Sequence, residues 1–258
     1  MITSKDNKII KKINSLKSKK EREKTNLFIV EGKRFVSEIP NNWKVKFFSV
    51  SESFKKYNDI QKYEEIADIF IISDNIFNSI SETKNSQGII AVCEQKKYDI
   101  SNFISTNGFY IILEELNDPG NLGTIIRTAD ACNVNGIFIS KGSVDLYNSK
   151  VLRSTMGSIF HIPIFKDVEI KYIIEIMRKN NIKIYATHLK GEKYIYDFDF
   201  KKGCSFIIGN EARGINSETI VDSDECIKIP ILGNAESLNA SVAASVIMYE
   251  VVRQRIYS

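Results

Sequence analysis

The sequence has no long apolar run. No stretch approaches the ~20 apolar residues a membrane-spanning helix needs. The lysine-rich first residues also lack the apolar centre of a secretory leader, so a cytoplasmic protein is expected. Histidine is scarce: His161 and His188 are the two, and neither has a companion at ligand spacing. The four cysteines, Cys93, Cys132, Cys204 and Cys226, lie far apart with no Cys-x-x-Cys among them. A zinc module is therefore excluded, no metal is expected, and buried free thiols are the simple reading. The glycine signatures G-x-G-x-x-G and G-x-x-x-x-G-K-[ST] are absent, as is H-E-x-x-H. Ordinary dinucleotide enzymes, P-loop enzymes and zinc proteases are set aside on that ground. There is no internal repeat and no low-complexity segment.

What is present is a globular composition. The chain has 258 residues, 43% hydrophobic and 26% charged, enough for one large domain or two ordinary ones. The net charge of +4 is mild, but its distribution is uneven. Between Lys5 and Lys24 nine Lys/Arg face three acids, Asp6, Glu21 and Glu23. A basic run of this kind suits a phosphate backbone, or it is simply a solvated helix face.

Periodicity and turn residues place a basic helical region over 1–24, strands at 45–50, 68–72 and 88–93, and helices at 54–67 and 75–81. Residues 1–95 thus read as a small α/β unit, and the polar, turn-rich stretch 96–107 as a linker. From residue 108 the alternation sharpens. Apolar strands at 109–113, 136–139, 182–186, 204–208 and 227–231 are separated by helical segments, ending in a long helix over 238–256. Continuous apolar strands between helices predict a parallel sheet covered on both faces, so residues 108–258 form one α/β domain. Ligands of such sheets bind at the carboxyl ends of the strands.

Three polar, glycine-containing stretches follow strands directly and so belong on that edge. The first, 117–127, holds Asn121 in a helix N-cap role and Arg127 nearly two turns further on. Arg127 suits bidentate phosphate contact or a surface ion pair. The second, 207–214, holds Gly209, Asn210 and Glu211, either a ligand loop or an ordinary turn. The third, 229–243, holds Ile229, Ile231, Ser237, Leu238 and Asn239 at the mouth of the last helix, where Ser237 suits a cap.

Together the three stretches resemble the motifs of the SpoU/TrmH branch of the SPOUT methyltransferases. The first reads N-x-G-x-x-x-R (Asn121, Gly123, Arg127) and the second G-x-E-x-x-G (Gly209, Glu211, Gly214). The third reads I-P followed by S-L-N-x-S-x-A (Ile229, Pro230, then Ser237 to Ala243). The segment 26–38 is similar to the small ribosomal-protein-like RNA-binding domain that precedes many such enzymes. The resemblance implies a C-terminal trefoil knot, a homodimer joined through the last helix, and S-adenosylmethionine as methyl donor. The acceptor it implies is a ribose 2′-hydroxyl, in ribosomal RNA by preference. It assigns catalysis to Asn121, Arg127, Glu211, Ser237 and Asn239. It assigns cofactor contact to Thr187, Gly209, Asn210, Ile229, Ile231 and Leu238. RNA would be held by Lys11, Lys12, Lys17, Lys19, Lys20, Arg22, Lys33 and Arg153, the last placed at the opening of a helix. A transfer-RNA or base methyltransferase of the same fold, and a non-catalytic ribosome-assembly factor, are the alternatives.

Overall fold

Runs of β-branched and aromatic residues build two sheets. The computed structural model describes every residue except Lys84, Ser101, Asn102, Lys190 and Ser258. The chain divides into two units, residues 1–96 with 147–160, and residues 97–146 with 161–258.

The first unit holds β1 (Leu27–Glu31), β2 (Val45–Ser51), β3 (Ile69–Ile72) and β4 (Ile89–Glu94) in the order β1-β4-β2-β3. β4 is antiparallel to both neighbours, and β3 is parallel to β2. The run Ile89-Ile90-Ala91-Val92-Cys93 is buried throughout, as an inner strand covered on both faces requires. The expected basic helix over 1–24 is two helices, α1 (Lys8–Ser15) and α2 (Lys19–Thr25). Asn7 caps α1 at the Ile9 N–H, 2.8 Å away, and Ile10 and Ile13 turn inward to meet Phe77 and Ile90 in the core. α3 (Lys33–Ser37) follows β1. The single helix expected over 54–67 is also two, α4 (Glu52–Tyr57) and α5 (Gln61–Glu64), because Asn58 is extended and ends the first. α6 is Asp74–Ile80.

Arg22 corrects an expectation. Instead of facing solvent for RNA, it is buried, and its Nη1 donates to the carbonyls of Leu16 (2.8 Å) and Lys17 (2.7 Å). It ties the end of α1 to α2. Arg22→Ala is expected to lower stability by about 2 kcal/mol, since charged hydrogen bonds are lost and buried carbonyls left open. Thermal melting checks this; an unchanged melting temperature would contradict it.

The second unit is a seven-stranded sheet, parallel throughout: β5 (Phe109–Leu113), β6 (Gly136–Ser140), β7 (Ile164–Val168), β8 (Lys183–Thr187), β9 (Lys193–Tyr194), β10 (Cys204–Ile208) and β11 (Glu225–Lys228). The spatial order is β7-β6-β5-β10-β8-β11-β9, so β10, late in the chain, lies between β5 and β8. The strands β5, β6 and β10 are buried at every position. Alternate residues feed opposite faces. Tyr110, Ile112 and Phe138 pack with Ile173 and Met177 on one. Phe206 stacks on Tyr185 at 5.2 Å on the other. The helices are α7 (Pro119–Ala131), α8 (Ser149–Thr155), α9 (Ile170–Lys179), α10 (Ser217–Val221) and α11 (Ala240–Ile256).

α8 lies in the segment that belongs to the first unit. Tyr147 before it and Phe160 in the turn beyond it join an aromatic cluster, 4.6 Å and 6.4 Å from the ring of Phe28. Arg153 sits in the last turn of α8, not at its opening, with Glu82 at 4.0 Å. All four cysteines are free, and burial pushes the Cys132 thiol up to about 11 and Cys204 up to about 12.

Candidate functional site

The insertion of β10 decides where the site is. Its neighbours are β5 and β8, and β11 lies beyond β8, so four consecutive strands end on one edge. The segments leaving them carry the three stretches singled out above, and they meet through hydrogen bonds. Glu211 accepts from the Asn117 N–H at 3.1 Å, from the Asp118 N–H at 3.0 Å and from Asn121 Nδ2 at 3.0 Å. The other end of the Asn121 amide accepts from Asn239 Nδ2 at 3.0 Å. A continuous chain, Glu211–Asn121–Asn239, thus links the ends of β10, β5 and β11.

Local chemistry explains each position. Asp118, not Asn121, is the N-cap of α7: its carboxylate accepts from the Asn121 N–H at 2.8 Å. Pro119 suits the first helical position, and Asn121 is left free to turn its amide to Glu211. Likewise Asn239, not Ser237, caps α11, accepting from the N–H groups of Ser241 (2.9 Å) and Val242 (3.4 Å). That cap is why α11 begins at Ala240, two residues later than the pattern predicts. Asn239→Ala is expected to cost about 1 kcal/mol from the lost cap and to break the contact with Asn121. Ser237 has no hydrogen bond among the described residues, so Ser237→Ala leaves stability unchanged. Chemical denaturation of the two variants compares them.

Burial pushes the Glu211 carboxyl up, but the Asn121 amide and the backbone donors of Glu211, Asp118 and Asn117 outweigh it and hold it below the ordinary carboxylate value. With the folded pKa depressed, this anchoring is fully present above the unfolded value and is lost as pH falls through the folded one. Acid, not base, frees the loop. The loop is also held from behind. Asn210 Nδ2 donates to the Glu115 carbonyl at 2.8 Å, and Asn210 and Gly214 exchange backbone hydrogen bonds of 3.0 and 2.9 Å. Arg213 pairs with the Glu115 carboxylate.

Beside this network lies a cavity of about 670 Å3. Its lining includes every expected cofactor residue, Thr187, Gly209, Asn210, Ile229, Ile231 and Leu238, together with Glu211, Ser237 and Asn239. The size is that of a small-molecule site. Ile195, Ile229, Ile231 and Leu238 give it apolar walls. Between Ile229 and Leu238 the described residues form no backbone hydrogen bond, so amide and carbonyl groups there are open to a ligand. A molecule with a flat heterocycle, a ribose and an amino-acid tail, such as S-adenosylmethionine, fits this set. Among the described residues no group of three or more His, Cys, Asp or Glu side chains is placed to hold a metal ion.

Arg127 is not part of this assembly. It is exposed on α7, outside the cavity lining, and among the described residues it has no ion-pair partner. The expected RNA ligands lie in the first unit: Lys11 pairs with Asp6 at 2.9 Å, Lys19 with Glu23 at 3.6 Å, and Lys33 donates to Asn58. Pattern reading missed Glu115, Arg213 and Ile195. Glu115 at the end of β5 carries no motif; only its place opposite Asn210 in three dimensions marks it.

Two family models match the chain: the SpoU rRNA Methylase family over residues 108–249, and an MRM3-like substrate binding domain over residues 7–91. A 23S rRNA (guanosine(2553)-2′-O)-methyltransferase of Bacillus subtilis is 32% identical over 96% of this chain and 97% of its own. A 23S rRNA (uridine(2479)-2′-O)-methyltransferase of Streptomyces viridochromogenes is 29% identical over 93% of this chain and 88% of its own. The crystal structure of an AdoMet-bound rRNA methyltransferase from Sinorhizobium meliloti superposes with a TM-score of 0.87 at 30% identity, covering 98% of this chain and 97% of that one. With one family model spanning more than half of its length and a relative alike nearly end to end, the chain belongs to the SpoU rRNA methylase family.

Proposed function

We propose that the chain transfers a methyl group from S-adenosylmethionine to a ribose 2′-hydroxyl of ribosomal RNA. The observation that carries this is the Glu211–Asn121–Asn239 chain where three strand ends meet, its two outer members, Glu211 and Asn239, lining the cavity. The relatives named above support the acceptor, since both act on a 2′-oxygen of 23S rRNA by name.

S-adenosylmethionine, when bound, supplies a methyl group made electrophilic by its sulfonium. The residues then have a positioning task, because a ribose hydroxyl is a weak nucleophile that must be held in line and lose a proton. Asn121, Glu211 and Asn239 fix the loops that frame the cavity, and Ser237 offers a hydroxyl to the substrate. Arg127 carries a planar guanidinium fork that donates hydrogen bonds and accepts none. Its role is to hold a phosphate of the target nucleotide bidentately and steer the hydroxyl toward the methyl group. The hydroxyl proton leaves through that phosphate to water as the oxygen–methyl bond forms and the sulfur–methyl bond breaks.

We infer a homodimer from the same placement. α11 leaves Val242, Tyr249 and Ile256 exposed, with Arg127 exposed on α7, which packs against α11. A second copy covering this face would bring Arg127 to its neighbour's cavity. The trefoil knot is inferred from the central position of β10 and from the 209–214 loop lying beside the 229–239 segment around one cavity. The first unit serves as the RNA-holding domain, with Lys11, Lys12, Lys17, Lys19, Lys20 and Lys33 supplying sequence-independent affinity. No helix among the described residues is long and apolar enough to cross a membrane, and we infer a cytoplasmic enzyme from the proposed ribosomal RNA substrate.

Transfer of tritiated methyl from S-adenosylmethionine to a 23S rRNA transcript tests the reading. Label on a 2′-O-methylnucleoside is expected. Label on a base would indicate a base methyltransferase, and no label a non-catalytic RNA-binding protein.

A further inference from the structure

The first unit carries a groove that methyl transfer at the cavity does not use. Three hollows adjoin along it. The middle one, about 280 Å3, is lined by Phe35, Met156, Asn85, Gln87, Arg34 and Arg153, with others. It shares Phe35 and Arg153 with a smaller hollow that Lys17 also lines. It shares Arg34 and Gln87 with a wider one bordered by Lys33 and Lys62.

The floor of the middle hollow is apolar. Phe35 is fixed against Phe160 at 5.7 Å, and Met156 remains 41% exposed. The amides of Asn85 and Gln87 have no hydrogen-bond partner among the described residues. Glu31, the acid at the hollow, is already engaged by Ser81, Thr83 and the Glu82 N–H. Arg34 and Lys17 have no acidic partner among the described residues, whereas Lys11 and Lys19 on the basic helices do.

We propose that this groove holds a single-stranded segment of the RNA substrate, with one unstacked base in the hollow beside Phe35. The proposal rests on the methyltransferase reading above. An unstacked base offers a flat apolar face and a polar edge. Phe35 and Met156 match the first, and two amides that both donate and accept match the second. Arg34, Lys33 and Lys62 match the phosphates on either side, which hold the strand without reading it. Target choice is then made in part here, at Asn85 and Gln87.

Filter binding of a 23S rRNA transcript to the full chain at several salt concentrations tests it, with melting temperature recorded for each variant. Arg34→Ala and Gln87→Ala are each expected to weaken binding about tenfold. Arg34→Ala also lowers the slope of log affinity against log salt by about one, and Gln87→Ala leaves the slope unchanged. Both variants keep the unaltered affinity for S-adenosylmethionine. Unaltered RNA affinity and slope in both would overturn the groove. If the unaltered chain binds the transcript but methylates nothing, the proposed function fails, while the variant series still decides the groove.

Discussion

Alanine at Arg127 is expected to lower methyl transfer by about 10²–10³-fold and to leave S-adenosylmethionine affinity within about twofold. The split follows from position. Arg127 lies six residues beyond Asn121 on α7, about 9 Å along the axis and roughly 120° around it. It is exposed and absent from the cavity lining, so it contributes nothing to holding the cofactor. Arg127→Lys keeps the charge but not the fork and is expected to fall between, about tenfold down. Near-full turnover by the lysine variant would remove the bidentate role. If Arg127 acts across a two-fold interface, mixing Arg127→Ala chains with Glu211→Ala chains restores activity. Half of the dimers are then mixed and each has one complete site, giving about a quarter of the unaltered activity. No recovery on mixing would place Arg127 and Glu211 in the same chain's site.

Gly209→Ala is expected to abolish cofactor binding, at least about 100-fold weaker, while Gly233→Ala, in the segment between the lining residues Ile231 and Glu236, is tolerated. A Cβ at 209 would stand 2.3 Å from the Gly214 carbonyl carbon and 2.4 Å from the Ile215 nitrogen. Those are backbone atoms, and the Asn210–Gly214 hydrogen bonds hold them there, so no rotamer relieves the clash. Relief requires the loop to move, which takes Glu211 from Asn121 and reshapes the wall. At Gly233 a Cβ meets nothing within 4 Å. Calorimetry with S-adenosylmethionine compares the two, and equal affinities would show that the loop is not part of the pocket. Gly214 resists substitution for a different reason: its φ of +73° favours glycine whatever the space.

Much of this site was legible as pattern. The apolar strands and the polar stretches after them put Asn121, Glu211 and Asn239 on one sheet edge, and the structure joins them by hydrogen bonds. What pattern does not carry is competition between neighbours for the same task. Asp118 precedes Asn121 and takes the cap of α7, and Asn239 takes the cap of α11 from Ser237. The last strand stops at Lys228 where its outer neighbour β9, two residues long among the described residues, also ends, so Ile229 and Ile231 line a cavity instead of a ladder. Arg22 looks like its lysine neighbours in sequence, yet its fork reaches two carbonyls that the break between α1 and α2 leaves open. That the backbone at Gly214 and Ile215 packs directly against Gly209 is likewise a fact of the folded loop and not of the pattern. The alliance of 147–160 with the first unit rests on Phe28 and Trp43, far away in sequence, and no local signal announces it.

A map of 2′-O-methyl positions in ribosomal RNA, in cells with and without the gene, tests the central claim most directly. One methylated ribose in the large-subunit RNA is expected to disappear on deletion. It should return with the unaltered chain and stay absent with Arg127→Ala or Gly209→Ala. An unchanged map, or the loss of a base methylation instead, would contradict the account.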